Sequence, residues 1–258
     1  MGALVSNCAS DEHGGAYGGA AGDQTGREYR VRDWYDFGQT AVYRHPNAKV
    51  RATLARLATD AANNDHIGYD QSQRLTFRNA LRKAGYEPSR ITVNCESDCS
   101  ASTGAIIEAA GKLLGDTLLY SFDTTLSTHY MDGPLQAAGF QKLTDARYTR
   151  SGDHLLAGDI CLRPANHVNI VVRDGDMADT YTVTWLKAPQ RCTVSGKVAI
   201  VREQPKTSAK IVARYQKGEH ITIEGITPAN GRWWGVYAGA STGLTRFVSL
   251  DAVRPVTQ

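Results

Sequence analysis

Two residues sixty-eight positions apart carry the side chains for nucleophilic chemistry: Cys99, in Asp98-Cys99-Ser100, and His167, which opens His167-Val168-Asn169-Ile170-Val171-Val172. Ile106, Ile107, Ala109, Ala110, Leu113 and Leu114 recur at helical spacing after Cys99, so the thiol falls in the first turn of a helix. Unpaired N–H groups and the helix dipole favour a thiolate there, and a nearby imidazole adds to the effect. A thiol pKa of ~3.5–7.5, instead of the ordinary ~8.5, is therefore expected. The chemistry would be attack on a carbonyl carbon, with the imidazole shuttling the proton and a polar group orienting the imidazole. Asp179, placed on the next strand by a tight hairpin at Asp174-Gly175, is the first candidate for the orienting group. Asn169, on the same strand face as His167, is the reserve.

The elements that must position these groups are partly legible. Residues 11–26 are rich in glycine and small residues and read as an ordered surface loop, with an alternating strand over 29–35. Residues 50–62 carry Leu54, Leu57 and Ala61 at helical spacing, and 70–84 read as a second helix capped by Asp70. The Cys99 helix is the third, and 131–138, closed by Gly139, a short fourth. Three β-rich runs follow, over 158–162, 167–172 and 177–184. Asp174-Gly175-Asp176, between the last two, is a hairpin signal. Helices before an antiparallel sheet predict an α+β domain over residues 1–186. Residues 187–196 read as a linker, and the short strands and turn pairs of 197–258 predict a small all-β barrel.

Bulk properties narrow the function classes. A chain of 258 residues that is 41% hydrophobic and 21% charged is globular in composition, which argues against disorder. No apolar run approaches the ~18 residues of a membrane span, so no membrane insertion is expected. Five irregularly spaced cysteines do not form a disulfide framework, and at least one thiol should be free. Cys161 reads as core, and Cys95 as packing or a secondary redox group. Net charge is +3, but residues 196–258 hold nine Lys and Arg against four Asp and Glu, so the tail is the cationic part. That favours an anionic surface. A surplus of five is too modest to suggest nucleic acid, and the aromatic residues there read better as barrel core. A zinc enzyme drawing on His13, His129, His154 or His167 would lack the usual paired-ligand spacings, so no metal or cofactor is expected. Gly22-Asp23-Gln24-Thr25-Gly26 lacks the Gly-Lys-Ser/Thr ending of a phosphate loop.

Asp98-Cys99-Ser100 before an apolar helix, Gly158-Asp159-Ile160 leading to the His167 strand, and a polar residue twelve positions after His167 resemble the NlpC-type, papain-like cysteine peptidases that cut bacterial peptidoglycan. Residues 18–28 and 66–71 also resemble the front of phage endolysins of this class from Gram-positive hosts. The resemblance implies a papain-like domain with Cys99 as nucleophile, His167 as base and then acid, and Asp179 as orienter. It implies a cleft shaped by Tyr69, Asp98 and Ser100. Ala101 stands where many members have Gly, and the third position is more often His, Asn or Gln than Asp. In the tail, Trp233-Trp234-Gly235-Val236-Tyr237 and Thr245-Arg246-Phe247-Val248 are similar to bacterial SH3-like wall-binding modules. If Trp233 and Trp234 lie on a strand, one faces inward and the other outward.

The expectation is thus a monomeric peptidoglycan hydrolase, by preference a D-glutamyl endopeptidase. The alternatives are an N-acetylmuramoyl-L-alanine amidase with the same Cys-His machinery and a non-catalytic wall-binding protein. Residues 1–10 lack the pattern of a secretory signal. Synthesis in the host cytoplasm, with action at the wall after release, is therefore expected.

Overall fold

Two units make up this computed structural model, Met1–Ala178 and Asp179–Gln258. It describes residues 2–176, 181, 183–229, 231–239 and 245–256. The first unit runs β1 (Leu4–Cys8), β2 (Tyr29–Asp33), β3 (Ala41–Arg44), α1 (Ala48–Ala62), β4 (Ile67–Tyr69), α2 (Thr76–Lys83), β5 (Cys95–Ser97), α3 (Cys99–Leu114), β6 (Gln141–Leu143), β7 (Ile160–Arg163) and β8 (His167–Arg173). Single helical turns at Thr117–Tyr120, Asp132–Ala137 and Ala146–Thr149 fill the connections. Six strands form one antiparallel sheet in the order β2-β1-β8-β7-β3-β6, while β4 and β5 pair in parallel beside it. This is the α+β arrangement expected from the sequence.

Alternation along the strands splits the core. Cys8, Tyr29, Val168 and Ile170 join Leu54, Leu57, Ala61, Ile106 and Ala110 of α1 and α3. Val5, Val42, Cys161 and Val171 pack the opposite way, with Tyr148, Leu155, Trp34, Tyr35 and Phe37. Helix α3 is buried on all sides from Cys99 to Gly111 rather than along one stripe, which is why small residues fill it. Gly111 shows the need most sharply, because a Cβ there would lie 2.2 Å from the Tyr120 backbone nitrogen.

Several expectations change. The second helix starts at Thr76, not Asp70. Asp70 Oδ1 accepts from Ser72 N and Oγ, both at 2.6 Å, and Oδ2 from Gly18 N at 3.1 Å. Such a side-chain turn competes with helix initiation. The loop over 11–26 is ordered as expected, because carboxylates take its backbone N–H groups: Asp23 accepts from Thr25, Arg27, Glu28 and Tyr29, and Glu96 from Gly22. Among the described residues no strand following Asp174-Gly175-Asp176 pairs with β8 in this sheet. The outer neighbour of β8 is β1, from the other end of the unit, and Gly175 N bonds Leu155 O. Most of the expected strand over 177–184 lies outside the described residues.

The second unit holds β9 (Thr184–Val194), β10 (Val198–Arg202), β11 (Ile211–Gln216), β12 (His220–Ala229), β13 (Arg232–Ala238), β14 (Thr245–Ser249) and β15 (Val253–Pro255), in the order β11-β10-β14-β13-β12-β9-β15. Residues 187–196, expected to be a linker, lie largely in β9, which pairs with β12 and β15 and buries Cys192 and Val194. Pro189 and the exposed polar residues beside it read as a break. The sheet tolerates them where the β9–β12 register shifts. The unit boundary therefore falls at 178/179 instead of 186/187. Among the described residues no pairing joins the edge strands β11 and β15, so the closed barrel is not found. The tryptophan pair does alternate: Trp234 is 2% exposed and Trp233 52%.

Candidate active site

Strand β5 delivers the chain into α3, and Cys99 is the first residue of that helix. Asp98 is its N-cap: Oδ1 accepts from Ala101 N at 2.7 Å and from Ser100 Oγ at 2.9 Å. Its Oδ2 pairs with Arg74 Nε at 2.9 Å, and Arg74 Nη2 donates to Ser100 Oγ and to Leu126 O. The side chains of Asp98 and Ser100 are thus engaged in fixing the helix start. Tyr69 sits opposite Ser97 in the β4–β5 pair, buried, its hydroxyl accepting from Gln71 Nε2 at 3.0 Å. Cys99 and Asp98 are among the charges that help to raise its phenol pKa, behind burial itself.

The backbone N–H of Val168, the residue after His167, acts on the Cys99 thiol, so the start of α3 lies by β8. Val168 packs with Cys99 in the core against the helices, whereas the His167 ring lies with Phe37 and Asn7. Among the described residues no contact joins the Cys99 and His167 side chains. The expected easily ionised thiol is not what the surroundings produce. Burial first, and then the Asp98 charge, push the thiol up to about 12, outweighing the N–H groups of Val168 and Ser100 and the Arg74 charge. Desolvation of a buried thiolate here exceeds the helix-start contribution. His167 moves the other way: burial, with the Arg32 charge second, lowers its pKa to about 4. At neutral pH both groups rest uncharged.

The hydrogen-bond partner of the His167 ring comes from the first strand. His167 Nε2 lies 2.9 Å from Asn7 Oδ1, which also accepts from Tyr35 Oη at 2.9 Å. An amide oxygen only accepts, so Nε2 carries the proton and Nδ1 keeps its lone pair. The Phe37 ring meets the imidazole edge-on at 5.0 Å between centroids. Asp179 lies outside the described residues. Asn169 is buried, with neither amide atom hydrogen-bonded.

Gly158 and Asp159, part of the sequence pattern, act on the scaffold. Gly158 has φ +90°, and a Cβ there would lie 2.4 Å from Arg51 O. Asp159 is fully buried and accepts from Arg44 Nε at 2.8 Å and Nη2 at 2.6 Å. Cys161 is core, and Cys95 packs with its thiol 3.5 Å from His66 O. All five cysteines are free.

Sequence reasoning did not anticipate Asn7, Tyr35 and Phe37 around His167. The available signal was Leu4-Val5-Ser6-Asn7-Cys8, an alternating run with β-formers and one amide in its middle.

The family described as the endolysin-like domain matches residues 5–178. No curated protein matches the chain. Among solved structures, the lysostaphin SH3b domain in a P4-G5 complex is 18% identical, over 27% of this chain and 71% of that one, with a TM-score of 0.24. The cell wall binding domain of the Staphylococcal phage 2638A endolysin is 17% identical over 31% of this chain and 89% of that one, with a TM-score of 0.25. The protein Ly7917 is 18% identical; the match spans 43% of this chain but only 38% of that protein, with a TM-score of 0.24.

Proposed function

This chain belongs to the endolysin-like domain family, and from that premise we propose that it is a peptidoglycan hydrolase that cuts an amide bond of the stem peptide with Cys99 as nucleophile. The observation that carries the reading is Cys99 at the start of α3 and His167, hydrogen-bonded to Asn7, at the start of β8 against which α3 packs, inside a member of that family. A thiol at a helix start, an imidazole on a strand that packs against that helix and an amide hydrogen-bonded to the imidazole support a papain-like, NlpC-type reading.

The chemistry starts from a neutral pair. As the sulfur attacks the amide carbonyl, its proton moves to His167 Nδ1, and Asn7 Oδ1 holds the Nε2–H of the imidazolium. Backbone N–H groups at the start of α3 face the oxyanion. The imidazolium then protonates the departing amine nitrogen as the C–N bond breaks, leaving a thioester. Water, deprotonated by His167, attacks the thioester carbonyl and releases the carboxylic acid and the thiol.

The bond we favour is the one after D-glutamate, and the second unit serves to hold the enzyme on the Gram-positive wall, with Trp233 exposed for contact. The test is digestion of purified peptidoglycan from several Gram-positive walls with wild-type and Cys99→Ala protein, the new termini being identified by mass spectrometry. A new amine and a carboxyl on D-glutamate, made by the wild type alone, is the expected result. A carboxyl on muramic acid would reassign the enzyme as an amidase. No products from any wall, with binding retained by both proteins, would leave a wall-binding protein without catalysis.

A further inference from the structure

Strand β2 carries two arginines on the His167 side of the sheet. Arg30 sits directly across from Asn7 in the β1–β2 register, and Arg32 across from Val5. The Arg32 guanidinium lies 4.2 Å from the centroid of the Tyr35 ring, and the Tyr35 hydroxyl donates to Asn7 Oδ1. Arg32, Tyr35, the buried Asn7 and His167 are therefore linked by successive contacts, with Arg30 across from Asn7 in the strand pair. Both arginines are half-buried, and the Nε atom of each is shut off from solvent without a hydrogen-bond partner. Among the described residues neither guanidinium is paired with a carboxylate.

Two like charges at i and i+2 on one strand face repel each other, and partial burial without counter-charge adds desolvation. Arg32 stacks on Tyr35, but neither arginine has the carboxylate partner that the half-buried Arg44 and Arg74 have in Asp159 and Asp98. An anion from outside would offset the repulsion and satisfy the open donors, and a guanidinium pair suits the two oxygens of a carboxylate.

We propose that Arg30 and Arg32 form a subsite for a free carboxylate on the acyl side of the scissile amide, so that the enzyme selects substrates bearing that acid over those in which it is an amide. This rests on the cysteine-hydrolase reading of the site. It also deepens that reading, because a γ-linked D-glutamyl residue holds its α-carboxylate a few bonds from the carbonyl to be attacked.

Two synthetic peptides test it, L-Ala-γ-D-Glu-L-Lys and the same peptide with the glutamyl α-carboxylate replaced by carboxamide. Wild type should hydrolyse the acid with a kcat/KM about tenfold or more above that of the amide. In R30Q/R32Q that ratio should collapse towards one, through loss on the acid peptide, with thermal unfolding checked for each protein. A purely structural role would lower both rates alike and leave the ratio, which would overturn the subsite. Equal hydrolysis of both peptides by wild type would overturn the subsite while leaving the hydrolase reading intact. Hydrolysis of neither by wild type would overturn the D-glutamyl reading and the subsite with it. A second readout is the pH profile: R32Q should move the acidic limb of kcat/KM upward, since the Arg32 charge helps to lower the His167 pKa.

Discussion

Asn7 Oδ1 and His167 Nε2 stand 2.9 Å apart although 160 positions separate them in the chain. The contact exists because β1 inserts beside β8, in the place where the sequence suggests a strand following His167. It fixes the imidazole tautomer and leaves the Nδ1 lone pair free, which in the proposed mechanism takes the thiol proton. Removing it by Asn7→Ala should lower kcat on the order of 10² with little change in KM, because positioning of the base matters most in the transition state. Steady-state kinetics on a soluble stem peptide check this, and a fall confined to KM would show that Asn7 acts on binding instead.

The thiol and imidazole rest neutral, with Cys99 pushed up to about 12 and His167 lowered to about 4. Alkylation of Cys99 by iodoacetamide should be slower at pH 7 than that of a free cysteine and should climb with pH, without a plateau between pH 5 and 7. A plateau there would reveal a standing thiolate–imidazolium pair. Since the base works unprotonated, the acidic limb of kcat/KM should lie near pH 4 instead of the ordinary histidine value.

Glu96 carries a signature in stability. Burial, with Glu28, Asp70 and Glu12 nearby, raises its pKa to about 7 from 4.5. The folded state therefore binds a proton that the unfolded state gives up between those values. Its favourable contribution is complete below pH 4.5 and is lost as pH rises through 7. Glu96→Gln keeps an acceptor for Gly22 N and should match wild type near pH 4.5, while being more stable by on the order of 1–2 kcal/mol at pH 8. Thermal unfolding at the two pH values decides it; equal curves at pH 8 would mean that Glu96 is ionised without cost.

At Gly158 the φ of +90° and the 2.4 Å approach to Arg51 O act together. Gly158→Ala should lose roughly 2–4 kcal/mol in urea unfolding, combining backbone strain with a clash against main chain that has no flexible end to yield. A loss below 1 kcal/mol would show that the β7 approach adjusts freely.

The tryptophan pair separates binding from folding. Trp234, buried and donating from Nε1 to Ala229 O at 3.1 Å, should cost about 3–5 kcal/mol when cut to Ala. Trp233→Ala should leave the melting of the unit near wild type while weakening sedimentation with purified walls. Unchanged sedimentation would place the wall contact elsewhere.

What the sequence determined by itself is local. Apolar periodicity after Cys99 and the β-formers of 158–162 and 167–172 follow from neighbouring side chains, so α3, β7 and β8 lie close to where spacing places them, with β7 beginning at Ile160. The Trp233-Trp234 alternation follows from the two-residue period of a strand. The tertiary structure decided what depends on distant partners. Asn7 is no likelier an orienter than many amides until β1 docks against β8, and Asp70 reads as a cap until Gly18 and Ser72 claim its oxygens. Residues 187–196 look like a linker because their outer face is polar, and only pairing with β12 and β15 makes them strand. The thiol shows the divide most clearly: its place at a helix start is written in the chain, but its protonation is set by how much protein closes over it.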